Sequence, residues 1–261
     1  HNDKISDQVA YRIAAEHQSS DGFIRNDYLK RKDTNNIDET HLHGKVRVLA
    51  SANLTLDVLL NWHDVDNGYD AFSLDRNRVT LSDQPGQDKQ DIKAGALKAS
   101  YTGWSVADSQ TQLSLLDAKS DYGFDEDWSF QAIHPWAYST TDQYLRDRKS
   151  QSFDQRWLAK DGRWVSGFYA SSQQTDLVRN YTDNFADSLS TFQSELERQN
   201  LAWYGEFQQQ LAPDLTLTAG ARAERYSDDY RDSNQILQQG DDWMWGGKLS
   251  LDYQVAPQTL I

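Results

Sequence analysis

The chain has 261 residues, a formal net charge of -14, no cysteine and a mean hydropathy of -0.82. The missing cysteines exclude a disulfide framework and thiolate metal sites, and the acidic balance argues against a nucleic-acid partner. No apolar run approaches the roughly 18 residues that a membrane helix needs, and His1-Asn2-Asp3-Lys4 is not followed by the apolar core of a secretory signal.

Yet 9 Trp, 13 Tyr and 9 Phe are far too many aromatics for a disordered chain. Polar on average and rich in aromatics is the composition of a membrane β-barrel. Only every second strand residue meets lipid there, and the outer loops are wet.

In chain order, the sequence reads as about ten strands joined by alternating long and short connections. The first long connection covers 18–40. A hairpin over 41–63 follows, turning at Ser51-Ala52-Asn53. Pairing Ala50 with Leu54 sets Val48 against Leu56, Val46 against Val58 and Leu42 against Trp62. On the other face Arg47 then meets Asp57, so one register gives an apolar face and an opposite-charge pair. A second long connection spans 65–90, and the strand around Ile92–Tyr101 ends at the turn Thr102-Gly103. Its pattern is imperfect, because Lys98 shares a face with Ile92, Ala94 and Ala96. The third long connection is 119–148; beyond it Gln155 shares a face with Phe153 and Trp157, before the turn Asp161-Gly162.

The C-terminal half is cleaner. After a long connection at 177–196, Leu201, Trp203, Gly205 and Phe207 alternate with Ala202, Tyr204, Glu206 and Gln208. The turn Ala212-Pro213-Asp214 leads into Leu215, Leu217, Ala219, Ala221 and Ala223 against Thr216, Thr218, Gly220, Arg222 and Glu224. After 227–241, Trp243, Trp245, Leu249, Leu251, Tyr253 and Val255 alternate with Met244, Lys248, Ser250, Asp252 and Gln254. A further turn begins at Ala256-Pro257. Period-2 runs of roughly ten residues suffice for a tilted strand to cross a bilayer. The reading is an all-β antiparallel meander over 1–261, five hairpins of a larger barrel that begins inside a longer precursor. The tryptophans Trp104, Trp157 and Trp164 lie near short turns, where an inner aromatic girdle belongs.

The segments "NGYDAFSLDRNRVTLSDQPGQD" (67–88), "YGFDEDW" (122–128), "RWVSGFY" (163–169) and "LTLTAGARAE" (215–224) resemble stretches of TonB-dependent receptors. The resemblance runs over nearly the whole chain. It implies a 22-stranded barrel with an N-terminal plug in its lumen, of which this chain would supply about ten strands. The plug, its energy-coupling box and a final strand ending in an aromatic residue are not in the sequence. The resemblance further implies an outer-membrane receptor without bond-making chemistry and without a cofactor. It would import a scarce nutrient such as an iron-siderophore or another metal chelate. Its partners would be that chelate, outer-membrane lipid and, through the plug, the TonB complex.

Substrate contacts are expected on the loops. The second long connection offers Tyr69, Phe72, Arg76 and Arg78. The third offers Tyr122, Phe124, Trp128, Trp136, Tyr138, Tyr144, Arg146 and Arg148. Aromatics give flat contact area and arginine clamps anionic chelates; the plainer reading is that these rings only pack the loops together. Lumen-facing charges are expected at Arg12, Glu16, Lys45, Arg47, Asp57, Asp154, Arg156, Arg222 and Glu224, either touching a plug or pairing with one another. The same register sets His41 opposite His63 with His43 on the same face, a candidate metal or haem site. Asp125-Glu126-Asp127 and Asp228-Asp229 lack the glycine-punctuated spacing of a calcium loop and read as solvated acid.

Two other readings compete. One is a complete ten-stranded surface protease barrel recruiting His41, His63 and His134, which requires its first and last strands to pair. The other is a soluble all-β domain with Trp203, Leu249 and Leu251 in a core.

Overall fold

The computed structural model describes residues 1–133, 138–256 and 258–260. Its strands are β1 (Asn2–Lys4), β2 (Val9–Ser20), β3 (Arg25–Asn26), β4 (Ile37–Ser51), β5 (Leu54–Tyr69), β6 (Val79–Thr80), β7 (Gly86–Tyr101), β8 (Ala107–Asp125), β9 (Thr140–Ala159), β10 (Trp164–Asp183), β11 (Ser188–Ala212), β12 (Leu215–Asp232), β13 (Leu237–Ala256) and β14 (Thr259–Leu260). A short 3-10 turn covers Gln131–Ile133. Ten long strands, with β1 and β14 at the two ends, form one antiparallel sheet in sequence order, and β3 pairs with β6 apart from it. Among the described residues β1 pairs only with β2 and β14 only with β13. The first and last strands therefore do not close a small barrel, which the protease reading required.

The register separates two chemistries. On one face Val46, Val58, Leu97, Leu113, Phe153, Ala170 and Leu201 form an unbroken row across seven strands. The next row toward the short turns is Val48, Leu56, Ala99, Thr111, Gln155, Phe168 and Trp203. Leu217 meets Leu251 and Ala219 meets Leu249 on that same face. The opposite face carries the row Arg47, Asp57, Lys98, Gln112, Asp154, Tyr169, Ala202 and Glu224. Lys98 is thus a polar-face residue, and Ile92, Ala94 and Ala96 share that face with it. Gln155 stands among apolar neighbours with its amide satisfied: Thr111 Oγ1 donates to Gln155 Oε1 at 2.6 Å, and Gln155 Nε2 donates to Ser109 Oγ at 2.9 Å.

Nothing packs on the aliphatic face. Leu249 is 78% exposed and Leu251 56%, whereas the buried apolar residues among those described are Ile24 and three alanines. A soluble domain of this size buries its leucines, so that reading fails. In β8 the aliphatic-face residues Leu113, Leu115, Asp117 and Lys119 are exposed, while Ser114, Leu116, Ala118 and Ser120 opposite them are half-buried. The sheet is therefore more crowded, and concave, on its polar side.

The aliphatic belt is about ten residues tall, the height of a hydrocarbon core crossed by tilted strands. Above it the same face turns to charge, with Asp64, Asp66, Lys89, Asp91, Lys93, Asp117, Lys119, Asp147 and Lys149 in neighbouring registers. Lys89 pairs with Asp66 at 2.8 Å and Lys93 with Asp91 at 3.0 Å.

The strands themselves continue far past the belt: β10 has 20 residues and β11 has 25. Here the structure corrects the sequence reading. The connections expected at 177–196 and 227–241 shrink to 184–187 and 233–236, and those at 18–40, 65–90 and 119–148 to 21–36, 70–85 and 126–139. Above the membrane both faces of a strand meet water, so the two-residue alternation that marks a strand vanishes and the sequence reads as loop. The opposite connections are short, as expected. At Asp161-Gly162, Gly162 has φ +71°, a left-handed conformation that glycine adopts without steric cost. Trp104, Trp157 and Trp164 lie at this short-turn end, with Trp164 opposite Phe207.

Candidate functional site

The long-connection end is built around a polar knot. Asn26 is fully buried; its amide donates to Asp70 Oδ2 and to Ser82 O, both at 2.8 Å. Thr80 Oγ1 donates to the same Asp70 oxygen at 2.7 Å. These bonds, with the β3–β6 pairing, tie loop 21–36 to loop 70–85. Loop 126–139 joins them where Tyr28 stacks on Phe130 at 4.5 Å and Asp83 N donates to Ser129 O at 3.1 Å. Three connections thus form one cap. Within it, burial, with Asp127 and Asp83 nearby, pushes the Asp125 carboxyl up to about 7.

Beneath the cap, strand ends bring aromatic rings together on the polar face. Tyr122 lies directly opposite Tyr144, and Tyr144 opposite Arg179. Tyr69 meets Tyr122 edge-on at 4.9 Å, Phe72 lies 5.8 Å from Tyr69 and 5.9 Å from Phe124, and Trp128 stacks on Phe72 at 4.9 Å. Next to these rings the β7 backbone at Gly86 lies so close to β8 that a Cβ there would sit 1.9 Å from Gly123 O. Trp128 is held at φ +62° and remains 39% exposed. A bulky residue in that conformation is strained, a feature that gathers at ligand sites.

Two guanidinium groups complete the cluster. Arg146 lies 5.3 Å and Arg179 5.4 Å from the Tyr144 ring centre. Arg179 also grips the buried Asp142 with two bonds, Nε to Oδ1 at 2.9 Å and Nη2 to Oδ2 at 2.7 Å. Tyr144 OH donates to the same carboxylate at 2.9 Å. Burial raises the hydroxyls of Tyr122, Tyr138 and Tyr144 above the usual phenol range. They therefore stay neutral, with the Tyr144 and Tyr138 hydroxyls committed as donors to Asp142 and Glu126.

Of the residues expected from sequence, Tyr69, Phe72, Tyr122, Phe124, Trp128, Tyr144 and Arg146 converge. Tyr69, Tyr122, Phe124, Tyr144, Arg146 and Arg148 belong to strands rather than loops. Tyr138 bonds Glu126 at 2.9 Å in the cap. Arg78 stands apart over Phe23 at 5.5 Å, and Arg76 is exposed. Arg148 is exposed on the polar face, opposite Ala118 and Thr175. Trp136 and His134 lie outside the described residues. Sequence reading missed Arg179, Asp142 and Tyr181. Arg179 and Tyr181 share a face with Leu177 and would have been found had 177–183 been read as strand; Asp142 lies on the neighbouring β9.

Several of the wall charges pair with one another. Arg47 clamps Asp57 at 2.7 and 2.9 Å, as the hairpin register expected; Arg156 bonds Asp154 at 2.8 Å and Arg222 bonds Glu224 at 2.6 Å. His41 and His63 are register partners with Nδ1 atoms 2.5 Å apart. His43 shares their face but turns to Asn61 Oδ1 at 2.6 Å. Among the described residues no three His, Cys, Asp or Glu side chains converge as a metal cluster. A hollow of about 890 Å³, lined by Ile13, Gly44, Leu60, Gly95 and Leu115, opens on the aliphatic face and includes none of the aromatic cluster.

A family model described as TonB dependent receptor-like, beta-barrel matches residues 11–261. The chain belongs to this TonB-dependent receptor barrel family. Its fold is similar to the ferric yersiniabactin uptake receptor FyuA from Yersinia pestis, with TM-score 0.73 at 15% identity over 98% of this chain and 42% of that one. It is also similar to the ferripyoverdine receptor of the outer membrane of Pseudomonas aeruginosa, with TM-score 0.68 at 15% identity over 98% of this chain and 38% of that one. The ferric citrate transporter FecA matches with TM-score 0.68 at 12% identity, over 98% and 38%. At these identities the likeness establishes the fold alone, and the chain spans about two-fifths of each receptor's length. A comparison with curated proteins finds no match.

Barrels of this family lie in the outer membrane and are transport receptors, not enzymes. The aliphatic belt of this TonB-dependent receptor barrel accordingly faces lipid. The polar face is the lumen wall, and the aromatic cluster stands on that wall at the extracellular mouth.

Proposed function

We propose that this barrel wall belongs to a receptor that binds and imports an intact metal chelate of the ferric-siderophore class, energised by the TonB complex through a plug. The observation that carries the reading is the ring cluster Tyr69–Phe72–Tyr122–Tyr144–Trp128 with Arg146 beside it on the lumen face. Flat rings supply contact area at low entropic cost, and cations attract an anionic chelate. Three proteins of similar structure are an uptake receptor for ferric yersiniabactin, a ferric citrate transporter and a ferripyoverdine receptor, which agrees with this chemistry.

The test is a binding titration, read by tryptophan fluorescence, against ferric catecholate, hydroxamate and carboxylate siderophores. One class is expected to bind tightly, and Tyr122→Ala or Arg146→Ala to weaken it about tenfold each, the loss usual for an anchoring aromatic or arginine. Saturable binding unaffected by both changes would remove this cluster from the site. No binding by any class would remove the reading.

A second reading concerns the His41–His63 pair, since imidazole suits zinc and copper. A shared metal needs the nitrogens roughly 3 Å apart, a small opening from 2.5 Å. Zinc and copper titrations of the wild type and His63→Ala check it. A lower affinity in the variant is the expected result, and an unchanged one makes the pair an ordinary wall contact.

A further inference from the structure

The cap holds two carboxylate oxygens with no partner. Asp83 Oδ1 and Asp125 Oδ2 are both buried from solvent and accept no hydrogen bond. Asp125 is only 5% exposed. Its other oxygen, Oδ1, accepts the Asp127 N–H at 3.1 Å. Asp83 is brought to the same place from the other loop, its N–H donating to Ser129 O at 3.1 Å. Burial raises the proton affinity of both carboxyls, Asp127 adds to it at each, and Asp83 adds to it at Asp125. Among the described residues neither makes an ion pair with a lysine, arginine or histidine.

Leaving such groups bare is costly. A buried carboxylate without a partner is paired, protonated or ligated in a stable fold, and an unsatisfied buried oxygen calls for an explanation. The surroundings offer oxygen rather than nitrogen. Ser82 is 1% exposed with its hydroxyl against the Asp125 carboxyl, and Ser129, 0% exposed, meets Asp83 through its carbonyl oxygen.

We infer that Asp83 and Asp125 are ligands of a divalent-cation site of the calcium class, which fastens loop 70–85 to loop 126–139 at the receptor's mouth. Calcium accepts six to eight oxygens at flexible angles, from carboxylates, hydroxyls, carbonyls and water together. Two carboxylates with neutral oxygens around them match that demand. Asp127 takes no part as a third carboxylate. Its Oδ1 accepts Ser129 N at 3.1 Å and its Oδ2 accepts Thr140 N at 2.8 Å, which orders the segment that carries Asp125. The segment expected to be solvated acid is therefore interior, and its position gives the cation a consequence. Trp128 sits between Asp127 and Ser129 and stacks on Phe72. The cation would hold that ring in place without itself being cargo, so the site stands whatever molecule the receptor imports.

Terbium tests this on the receptor purified in detergent and washed with a chelator. Tb³⁺ replaces Ca²⁺ at oxygen sites and luminesces when a nearby tryptophan is excited. Saturable emission is expected, displaced by Ca²⁺ but not by equal Mg²⁺, and lost in Trp128→Phe while calorimetric Ca²⁺ binding persists. Asp83→Asn and Asp125→Asn should each weaken Ca²⁺ at least about tenfold, whereas Glu126→Gln, next in sequence but bonded to Tyr138 and Thr140, should not. Heat-modifiable migration on a gel confirms that each variant barrel is folded. If a variant fails to fold, the wild-type displacement series and the Trp128→Phe result decide. Absence of saturable emission from the wild type overturns the site, and so does an Asp83→Asn or Asp125→Asn barrel that binds Ca²⁺ as tightly as the wild type.

Discussion

Replacing Arg179 with methionine is expected to destabilise the extracellular end of the barrel by about 2–3 kcal/mol, a little under the ~3–5 kcal/mol of a fully buried broken pair. The discount follows from geometry: the Asp142 side chain is 4% exposed, but that of Arg179 is 42% exposed. Removing the guanidinium leaves Asp142 interior with only the Tyr144 hydroxyl to satisfy its charge. The double replacement Arg179→Met with Asp142→Asn should recover much of the loss, because no bare charge then remains. Urea unfolding in detergent, compared across the four proteins of the cycle, measures this. Equal stability of the wild type and Arg179→Met would show that water reaches Asp142 freely. The pair also sets Tyr144 against Tyr122, so chelate affinity should fall with the single change and partly return with the double one.

The second large effect lies in the membrane. Leu113→Arg should cost about 2–4 kcal/mol, the penalty for a cation on the lipid face near mid-bilayer. Leu113 occupies the unbroken apolar row and is 48% exposed. Its neighbour Gln112 points to the lumen, opposite Lys98 and Asp154. Gln112→Arg should therefore change stability by less than about 0.5 kcal/mol, as surface substitutions do. Folding into lipid vesicles at graded urea compares the two. A similar cost at both positions would mean that the faces are assigned wrongly. A one-residue change of position is a sharp probe, because strand side chains alternate without exception between the two environments.

Much of this architecture was legible along the chain. Where a strand separates lipid from water, alternation is imposed by the solvents themselves. That is why the runs from Leu201, Leu215 and Trp243, and the pairing of Arg47 with Asp57, were readable before any coordinates. The histidine pair followed from the same register, although its starting pair was misplaced: Leu54 pairs with Ser51, not Ala50, and the irregularity between Leu49 and Ser51 restores the expected partners from Val48–Leu56 outward. Exceptions such as Gln155 broke the pattern only because Thr111 and Ser109, distant in sequence, supply its hydrogen bonds.

The sequence by itself thus determined the strand-crossing class, the short-turn end, the two faces within the belt and the residue types gathered at the mouth. Only the tertiary structure decided what happens above the membrane. There both faces are wet, so nothing in the local pattern distinguishes paired strand from loop, and β10 and β11 run on through what reads as polar coil. Arg179 meets Asp142 across 37 residues, Asn26 meets Asp70 across 44, and Asp83 joins Asp125 from another connection. Contacts of that kind are fixed by how three loops pack on one another. Burial, which turns an acidic stretch from solvated surface into an interior carboxyl cluster, is a property of the packing and has no one-dimensional signature.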